Sequence, residues 1–464
     1  MNPETPPKRL RAVIAAVQLP GVDEAALAAS AAELGRLLDT LGYDVVGSVA
    51  QRRQTLAPAA VLGEGKLVEL AAYTGGGGEV PDAALAAHKP KDKARKRREA
   101  LSGARDVDDD DDAEDDESEE AKSARRRADV VVVDHEISPS QARNLEQACD
   151  VPVLDRSGVI VEIFHRHARS REARLQVEIA RLTYLVPRLR LSSKTSERQQ
   201  GRGAGESQLE LDRRKVRDRI AQLRQELAEI EMSQGQRRAR RAEARRVALV
   251  GYTNAGKSSL MRALTGHEVY VADKLFATLD TTVRALPDIV PRILVSDTVG
   301  FISKLPHDLV ASFRSTLDEA REASLLLYVS DASDPTFRDQ LRVTQDVLKE
   351  IGAEEIPSLL LLNKADRLSE FESARLRKEF PDAALLSAHQ PADVLALRDR
   401  LVSFFDSGLD EAELLIPYAR SALLGDIRQN ARVVSETHDE VGYQLVLRAE
   451  HLFLDRLRTL LGAP

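Results

Sequence analysis

Short apolar runs alternate with apolar positions at helical spacing through most of the chain, and this alternation predicts a mixed α/β structure. In the first third, the pattern predicts strands over 11–17, 43–49, 130–133 and 151–154, with helices over 23–41 and 138–149. Because strands and helices take turns, we expect a small parallel α/β domain over residues 8–164.

Residues 75–127 interrupt that pattern. Four glycines, Gly75–Gly78, are followed by a basic cluster over 89–98 and by an acidic run over 106–120, which holds twelve Asp or Glu and no Lys or Arg. A segment with few apolar residues and blocks of like charge cannot offset the entropy lost on ordering. We therefore predict a disordered insertion here.

Two long apolar stripes follow. The first holds Leu175, Ile179, Leu182 and Val186 and is expected to end near Pro187. The second spaces its apolar residues alternately by three and four, as in a coiled coil. These residues are Leu209, Val216, Ile220, Leu223, Leu227 and Ile230, and Arg213 occupies a position of the same stripe. We predict that the stripes pair as an antiparallel helical hairpin over 165–245, with the glycine-arginine loop 199–206, flanked by Arg198 and containing Arg202, at or near its tip.

The hairpin region is strongly basic, although the whole chain has a formal net charge of −8. Residues 165–246 hold 22 Lys or Arg against 11 Asp or Glu. Such a stretch favours a phosphate-rich partner such as RNA, but the charge alone fits a solvated arginine-rich face equally well.

A glycine-rich loop stands between a predicted strand and a predicted helix in the middle of the chain. Val247–Val250 is apolar, and Gly251–Ser258 after it has the spacing G-x-x-x-x-G-K-S of a phosphate-binding loop. Backbone N–H groups of such a loop surround a polyphosphate, Lys257 reaches the β and γ phosphates, and the Ser258 hydroxyl ligates Mg²⁺.

Three downstream segments indicate that the base is guanine. Asp297–Gly300 ends an apolar strand in D-x-x-G, which places a carboxylate near Mg²⁺ and a glycine amide near the γ-phosphate. Asn363–Asp366 ends another strand in N-K-x-D, whose last carboxylate can accept both the N1–H and the 2-amino hydrogen of guanine. Ser387–Ala388 fits the short loop whose amide meets the guanine oxygen. The segments together predict a Ras-like P-loop GTPase domain over 246–406.

These motifs resemble those of the HflX family, ribosome-associated GTPases of the Obg-HflX branch. Further stretches that carry the resemblance are Ile137–Glu146, Gly201–Glu210, Asp212–Arg214, Phe276–Asp280 and Asp297–Ile302. The chain departs from the family pattern at Ala204 and Thr281, where proline is usual, and at Ser207, where threonine is usual.

The resemblance implies hydrolysis of GTP to GDP and phosphate with Mg²⁺, binding to the large (50S) ribosomal subunit and its rRNA, and splitting or rescue of stalled ribosomes under stress. K⁺ is a further implied cation, held by Asn254 as in the related TrmE-like enzymes, with a loop-shaping hydrogen bond as the alternative role. Some members are reported to bind ATP through the N-terminal domain. The loose phosphate-loop pattern Gly63–Lys66 therefore stays open beside its simpler interpretation as a helix-starting turn.

The residues expected to contact GTP or GDP are Gly251, Tyr252, Thr253, Asn254, Ala255, Gly256, Lys257, Ser258, Ser259, Phe276, Ala277, Thr278, Asp297, Thr298, Val299, Gly300, Asn363, Lys364, Ala365, Asp366, Ser387, Ala388 and His389. Ser258, Thr282 and Asp297 are expected to hold the metal, and Lys257, Thr282 and Gly300 to act in catalysis. Thr281 and Thr278 are alternatives to Thr282. Phe301 stands where Ras-like enzymes have a water-positioning glutamine, which predicts slow intrinsic turnover, with the missing group or geometry supplied by the switch segment or by the ribosome.

Composition adds limits. The chain has no stretch of about 18 apolar residues, so we expect no integral membrane segment. Its single cysteine, Cys149, fits the cytoplasm. We further expect a monomer that is able to associate peripherally with a membrane. Residues 407–464 predict a small α+β domain. Two other functions fit the same sequence: an ATP-dependent rRNA helicase working from the N-terminal domain, and a GTP-gated ribosome-binding scaffold or assembly factor.

Overall fold

The structure is a computed structural model that describes residues 9–80, 128–196, 205–239, 245–266, 275–276, 282–304 and 314–461. The chain forms two compact units. The first unit comprises Met1–Ile163 and Arg181–Asp218, and the second comprises Phe164–Ala180 and Arg219–Pro464. The predicted division into four domains stays a prediction. Within the described residues, no helix is long and apolar enough to cross a membrane.

The first unit contains a four-stranded, fully parallel sheet, as the sequence predicts. Its strands are β1 Leu10–Gln18, β2 Tyr43–Arg52, β3 Val130–Val133 and β4 Val153–Asp155, in the order β2-β1-β3-β4. Its helices are α1 Glu24–Thr40, α2 Glu64–Thr74, α3 Pro139–Cys149 and most of α4 Arg156–His167. The central strands β1 and β3 are apolar and buried, which is typical of a parallel sheet covered on both faces.

The disordered insertion predicted for 75–127 is wrong for its first residues. Gly75 ends α2 in the left-handed conformation (φ +87°), and the Gly78 N–H donates to Ala148 O at 2.9 Å. A Cβ on Gly76 would lie 2.3 Å from the same carbonyl oxygen. The glycines thus let this backbone lie directly against the end of α3, and residues 81–127 lie outside the described part of the chain.

Two long helices form the predicted antiparallel hairpin, α5 Arg171–Ser196 and α6 Gly205–Ala239. Arg171, at the start of α5, lies 3.6 Å from Glu226, past the middle of α6. The predicted seam is confirmed where its side chains are described: Arg213, Val216, Ile220, Leu223, Leu227 and Ile230 are buried or half-buried, whereas most residues between them are exposed. Gly205 and Glu206, predicted as loop, begin α6. Residues 197–204, with Arg198 and Arg202, lie outside the described residues.

The first hairpin helix does not end near Pro187 as predicted but continues to Ser196. Proline inside a helix costs about 3 kcal/mol, so other contacts must hold the helix there. The Tyr184 hydroxyl and Arg188 Nη2 both donate to the buried carboxylate of Asp155 at 2.7 Å, and the Arg188 guanidinium stacks on the Tyr184 ring. Because these bonds lie on both sides of Pro187, they fasten the helix to the end of β4 across the proline.

The second unit contains a six-stranded sheet in the order β10-β9-β8-β5-β7-β6. Its strands are β5 Arg245–Gly251, β6 Thr282–Ala285, β7 Ile293–Asp297, β8 Leu325–Asp331, β9 Ser358–Asn363 and β10 Ala384–Leu385, and only β6 is antiparallel to its neighbour. Its described helices are α7 Lys257–Thr265, α8 Arg314–Arg321, α9 Phe337–Glu350, α10 Glu370–Glu379 and α11 Pro391–Asp406, with a 3₁₀ turn at Ala365–Arg367. This confirms the predicted P-loop GTPase fold.

The same unit ends in the predicted α+β domain. Its antiparallel sheet has the order β11-β13-β12, formed by β11 Asp410–Pro417, β12 Arg432–His438 and β13 Gly442–Ala449. A 3₁₀ turn, Tyr418–Arg420, and helices α12 Leu423–Asn430 and α13 His451–Leu461 complete it.

Candidate active site

The phosphate-binding loop joins the carboxyl end of β5 to the first turn of α7. Lys257 begins the helix, and its buried Nζ donates to Gly251 O at 3.0 Å and to Tyr252 O at 2.8 Å, so the ammonium lies beneath the loop. Asn254 stands at the exposed turn of the loop with φ +61°. The helix start and the lysine together bring positive charge to one place, as a polyphosphate requires.

Two positions of the loop require glycine, because atoms of neighbouring segments lie where a Cβ would stand. Gly251 passes β8 so closely that a Cβ would lie 2.2 Å from Val329 O, and a Cβ on Gly256 would lie 2.2 Å from Asn363 Nδ2. Gly256 also has φ +94°, which disfavours any other residue. The glycines therefore shape the loop and let the base-recognition segment lie directly against it.

The D-x-x-G segment lies beside this loop. Gly300 is buried, and a Cβ on it would lie 2.9 Å from Thr253 Cα and 3.1 Å from Lys257 Nζ. Thr298 is also buried, and its hydroxyl donates to Leu249 O at 2.7 Å. Val299 is buried next to it. The segment is thus held by the phosphate loop, with the Gly300 backbone close to the lysine.

The residues predicted to hold Mg²⁺ are brought together. The Ser258 hydroxyl donates to Asp297 Oδ2 at 2.6 Å, while Asp297 Oδ1 is buried and has no hydrogen-bond partner among the described residues. Thr282 stands opposite Asp297 in the β6–β7 ladder. One carboxylate and two hydroxyls suit Mg²⁺, which keeps water and phosphate oxygens as its other ligands. When bound, the ion would neutralise charge on the phosphates.

Burial shifts the pKa values of both Lys257 and Asp297. It lowers the pKa of Lys257 to about 8, although the neighbouring Asp297 carboxylate partly opposes this shift. Burial likewise raises the pKa of Asp297, against the opposing effects of Lys257 and the Ser258 hydroxyl. Each group is therefore poised to gain from a ligand that supplies the charge it lacks: phosphate for the lysine, and a cation for the aspartate.

The base-recognition segments meet at the ends of β9 and β10. Asn363 is buried, and its amide bridges the phosphate loop and the last loop by donating to Ala255 O at 2.9 Å and accepting from the Ala388 N–H at 3.1 Å. Asp366 is exposed and accepts a hydrogen bond from the Ser387 hydroxyl, which keeps the pKa of Asp366 below its usual value. The ionised carboxylate required for guanine is thus favoured. The Ala388 amide contact to guanine stays a prediction.

Three further residues predicted to contact the nucleotide lie next to the segments described above. Ser259 lies in the first turn of α7, half-buried, and Ala365 begins the 3₁₀ turn, its N–H donating to Leu386 O at 3.1 Å. The exposed His389 donates its backbone N–H to the Ser387 hydroxyl at 3.2 Å. Ala277, Thr278 and Thr281 lie outside the described residues.

Two positioning carboxylates were missed in the sequence. Asp331, at the end of β8, pairs with Lys364 Nζ at 2.7 Å, and Asp393, in the first turn of α11, accepts the Ser387 N–H at 2.8 Å. The position of Asp331 at the carboxyl end of a predicted strand was an available signal, because ligands bind at that edge of a parallel sheet. No local pattern marks Asp393.

The second phosphate-loop-like pattern takes the form of a helix start. Gly63 is the N-cap of α2, its N–H donates to Gln51 Oε1 at 2.7 Å, and Lys66 pairs with Glu69 within the helix. The arrangement fits the simpler interpretation as a helix-starting turn, and ATP binding there stays a prediction.

Comparison with known proteins gives consistent matches along the chain. Three family models match: "GTP-binding GTPase N-terminal" over 28–79 and 116–165, "GTP-binding GTPase Middle Region" over 167–241, and "50S ribosome-binding GTPase" over 246–364. The chain is 59% identical to the GTPase HflX of Gluconacetobacter diazotrophicus over 462 residues, which covers 99% of this chain and all of that protein.

More distant relatives and a solved structure also match the chain. The GTPase HflX of Escherichia coli K12 is 43% identical over 68% of this chain and 76% of its own length, and that of Caldanaerobacter subterraneus is 34% identical over 97% and 93%. A crystal structure of SsGBP in complex with GDP is 22% identical, with a TM-score of 0.42, and covers 85% of this chain and 98% of its own.

Proposed function

Because the chain belongs to the HflX family of GTPases, we propose that it binds the large ribosomal subunit and uses its GTP cycle to split or rescue stalled ribosomes. The relatives and the nucleotide site make it an enzyme that hydrolyses GTP. The ribosome is the partner that stimulates the reaction.

The burial of Phe301 carries the proposal of partner-dependent hydrolysis. This residue follows D-x-x-G and is only 3% exposed. Its backbone is bonded on both sides to the phosphate loop, because its N–H donates to Gly251 O at 3.1 Å and its carbonyl accepts from the Thr253 N–H at 2.8 Å. An apolar ring fixed in the core can neither orient nor polarise an attacking water. Of the two possible sources of the missing group or geometry, the switch segment and the ribosome, we therefore assign it to the ribosome.

A basic cleft at the base of the hairpin supports rRNA as the partner. The cleft has a volume of about 430 Å³ and lies between the end of α4, the start of α5 and the middle of α6. Its rim carries His165, Arg171, Arg174 and Arg219 against the single carboxylate of Glu178. Arginines of this kind contact phosphates and position a protein on a nucleic acid. The cleft thus concentrates part of the positive charge of the hairpin region at one place on its surface.

Turnover and sedimentation test the proposal together. We expect the purified chain to hydrolyse GTP slowly, large subunits to stimulate it strongly, and intact ribosomes to separate into subunits in the presence of GTP. Asp366→Ala, which lacks the guanine-binding carboxylate, should lose both effects. Brisk turnover that large subunits leave unchanged would contradict the proposal. Stable binding without stimulation would instead favour a GTP-gated scaffold.

Matched arginine variants test the cleft. Arg219 lines the cleft, whereas Arg217 on the same helix is also exposed but does not line it. We expect Arg219→Ala to weaken binding to large subunits and to lower the slope of log affinity against log salt by about 1, as for one lost phosphate contact. Arg217→Ala should change both values less. Equal effects of the two variants would show that the cleft has no special role.

A further inference from the structure

The buried Ser387, which begins the loop predicted to meet guanine, has all of its polar groups occupied. Its N–H donates to Asp393 Oδ2 at 2.8 Å, and its carbonyl accepts from the Gln390 N–H at 3.0 Å. The hydroxyl oxygen accepts from the His389 N–H at 3.2 Å. A serine hydroxyl carries a single hydrogen, and here that hydrogen goes to the Asp366 carboxylate. Ser387 is therefore fixed in one orientation, with its only side-chain donor directed at Asp366.

Asp393 lies in the first turn of α11, and its side chain reaches back out of the helix. In a capping box, the side chain of the third helical residue accepts from the N–H of the N-cap residue. Here the N-cap is Gln390, and its N–H is already donated to Ser387 O. The Asp393 carboxylate instead accepts the N–H of Ser387, six residues earlier in the chain. Asp393 thus fastens the base-recognition loop to the start of a helix.

Asp366 needs such support because it is exposed. A carboxylate in contact with solvent can rotate and bind water, whereas guanine recognition requires its two oxygens to face the N1–H and the 2-amino group together. The bond from the Ser387 hydroxyl restricts that rotation, and it is the largest cause of the lowered pKa of Asp366. Restricting a group before its ligand binds reduces the ordering that binding requires.

We propose that Asp393 is a positioning residue for guanine selection, which holds the backbone of Ser387 so that the serine hydroxyl orients Asp366 towards the base. Both steps of this path are direct hydrogen bonds. The proposal rests on the guanine contact predicted for Asp366. Because the phosphates and Mg²⁺ are expected at Lys257 and Asp297, the turnover of bound GTP should not depend on Asp393.

Asp393→Ala removes the acceptor, and the readout is the Kd for GDP and for inosine diphosphate (IDP). IDP lacks the 2-amino group, so it can donate only one hydrogen bond to Asp366. We expect the Kd for GDP to rise about three- to tenfold, the preference for GDP over IDP to fall about threefold, and kcat for GTP to stay within about twofold. Asp393→Asn keeps an acceptor at the same place and should retain the wild-type values. Asp399→Ala, which removes an exposed carboxylate of the same helix, is the matched control and should change none of them.

Ser387→Ala removes the hydroxyl but leaves the backbone N–H that Asp393 accepts. It should lower the preference to the same extent, and the double variant should show no larger effect than the stronger single variant. An unchanged preference in Asp393→Ala, or equal losses of GDP and IDP affinity, would overturn the proposal. Asp366→Ala separates this result from a failure of the guanine contact. A preference that survives in Asp366→Ala contradicts that contact and the proposal together, whereas one lost there but kept in Asp393→Ala contradicts the proposal alone.

Discussion

The hydroxyl of Ser258 donates to Asp297 Oδ2 across 2.6 Å, which joins the first turn of α7 to the end of β7. The second oxygen of the same carboxylate is buried without a partner among the described residues. A buried acceptor left unpaired costs about 1–3 kcal/mol, and more when it is charged. Bound Mg²⁺ would satisfy that oxygen. Relief of this cost on binding would therefore contribute to the affinity for Mg²⁺.

Ser258→Ala should therefore weaken the magnesium site. We expect the Mg²⁺ concentration for half-maximal GTP turnover to rise about 10- to 100-fold. Ser296→Ala is the control, because that hydroxyl lies on the same strand as Asp297 but donates to Val247 O. Turnover is measured over a Mg²⁺ titration at fixed GTP. An unchanged Mg²⁺ requirement in Ser258→Ala would rule out the hydroxyl as a ligand.

Nucleotide affinity should fall with rising pH above about 8. The buried Lys257 has a pKa of about 8 in the unliganded protein, and a bound phosphate stabilises its charged form. Binding consequently takes up a proton above that pH, and affinity should be about tenfold weaker at pH 9 than at pH 7. Titration calorimetry with GDP in two buffers of different ionisation enthalpy measures both the affinity and the proton uptake. Affinity independent of pH from 7 to 9 would be the contrary result.

The same titration affects the stability of the unliganded protein. Lysine in the unfolded chain titrates near 10.4, above the folded value, so the unfolded state binds more protons between about pH 8 and 10.4. This single group makes the free energy of unfolding rise with pH across that window. Lys257→Met should remove that contribution, as the difference between two urea titrations at pH 7.5 and 9.5 would show.

Asp366→Asn should reduce the preference for guanine. Hydrogen bonds to charged groups contribute about 1.5–3 kcal/mol, so GTP affinity should fall about 10- to 100-fold. Xanthosine triphosphate, which offers an acceptor where guanine has its amino group, should bind the variant better than GTP does. Asp382→Asn, an exposed change, is the control. Competition between the two nucleotides gives the ratio directly, and an unchanged ratio would contradict the role of Asp366.

Potassium dependence tests the role of Asn254, whose side chain stands at the exposed turn of the phosphate loop. We predict faster GTP turnover in KCl than in NaCl at equal ionic strength, and no difference between the salts for Asn254→Ala. Equal wild-type rates in the two salts would leave Asn254 as a loop-shaping residue only.

The sequence predicts that the nucleotide-binding motifs lie close together, because their residues come in short motifs with fixed spacing. Gly251 to Ser258 span one loop, and each neighbouring motif ends a strand, so the shared sheet edge assembles them. The edge-to-face contact between Phe164 and Phe276, whose ring centroids lie 4.6 Å apart, could not be predicted, since two apolar residues far apart in the chain carry no mutual signal. The predicted helix end near Pro187 was wrong for a related reason. Contacts with Asp155, which is distant in sequence, hold the helix together across the proline.

That carboxylate also has a mechanical consequence. Asp155 fastens α5 through Tyr184 and Arg188, one helical turn apart, and it belongs to the short buried strand β4. The two hydrogen bonds occupy both oxygens of one carboxylate and lie on either side of Pro187. A bend at the proline would lengthen at least one of them, so the direction of α5 is fixed at the very residue where a helix most easily kinks.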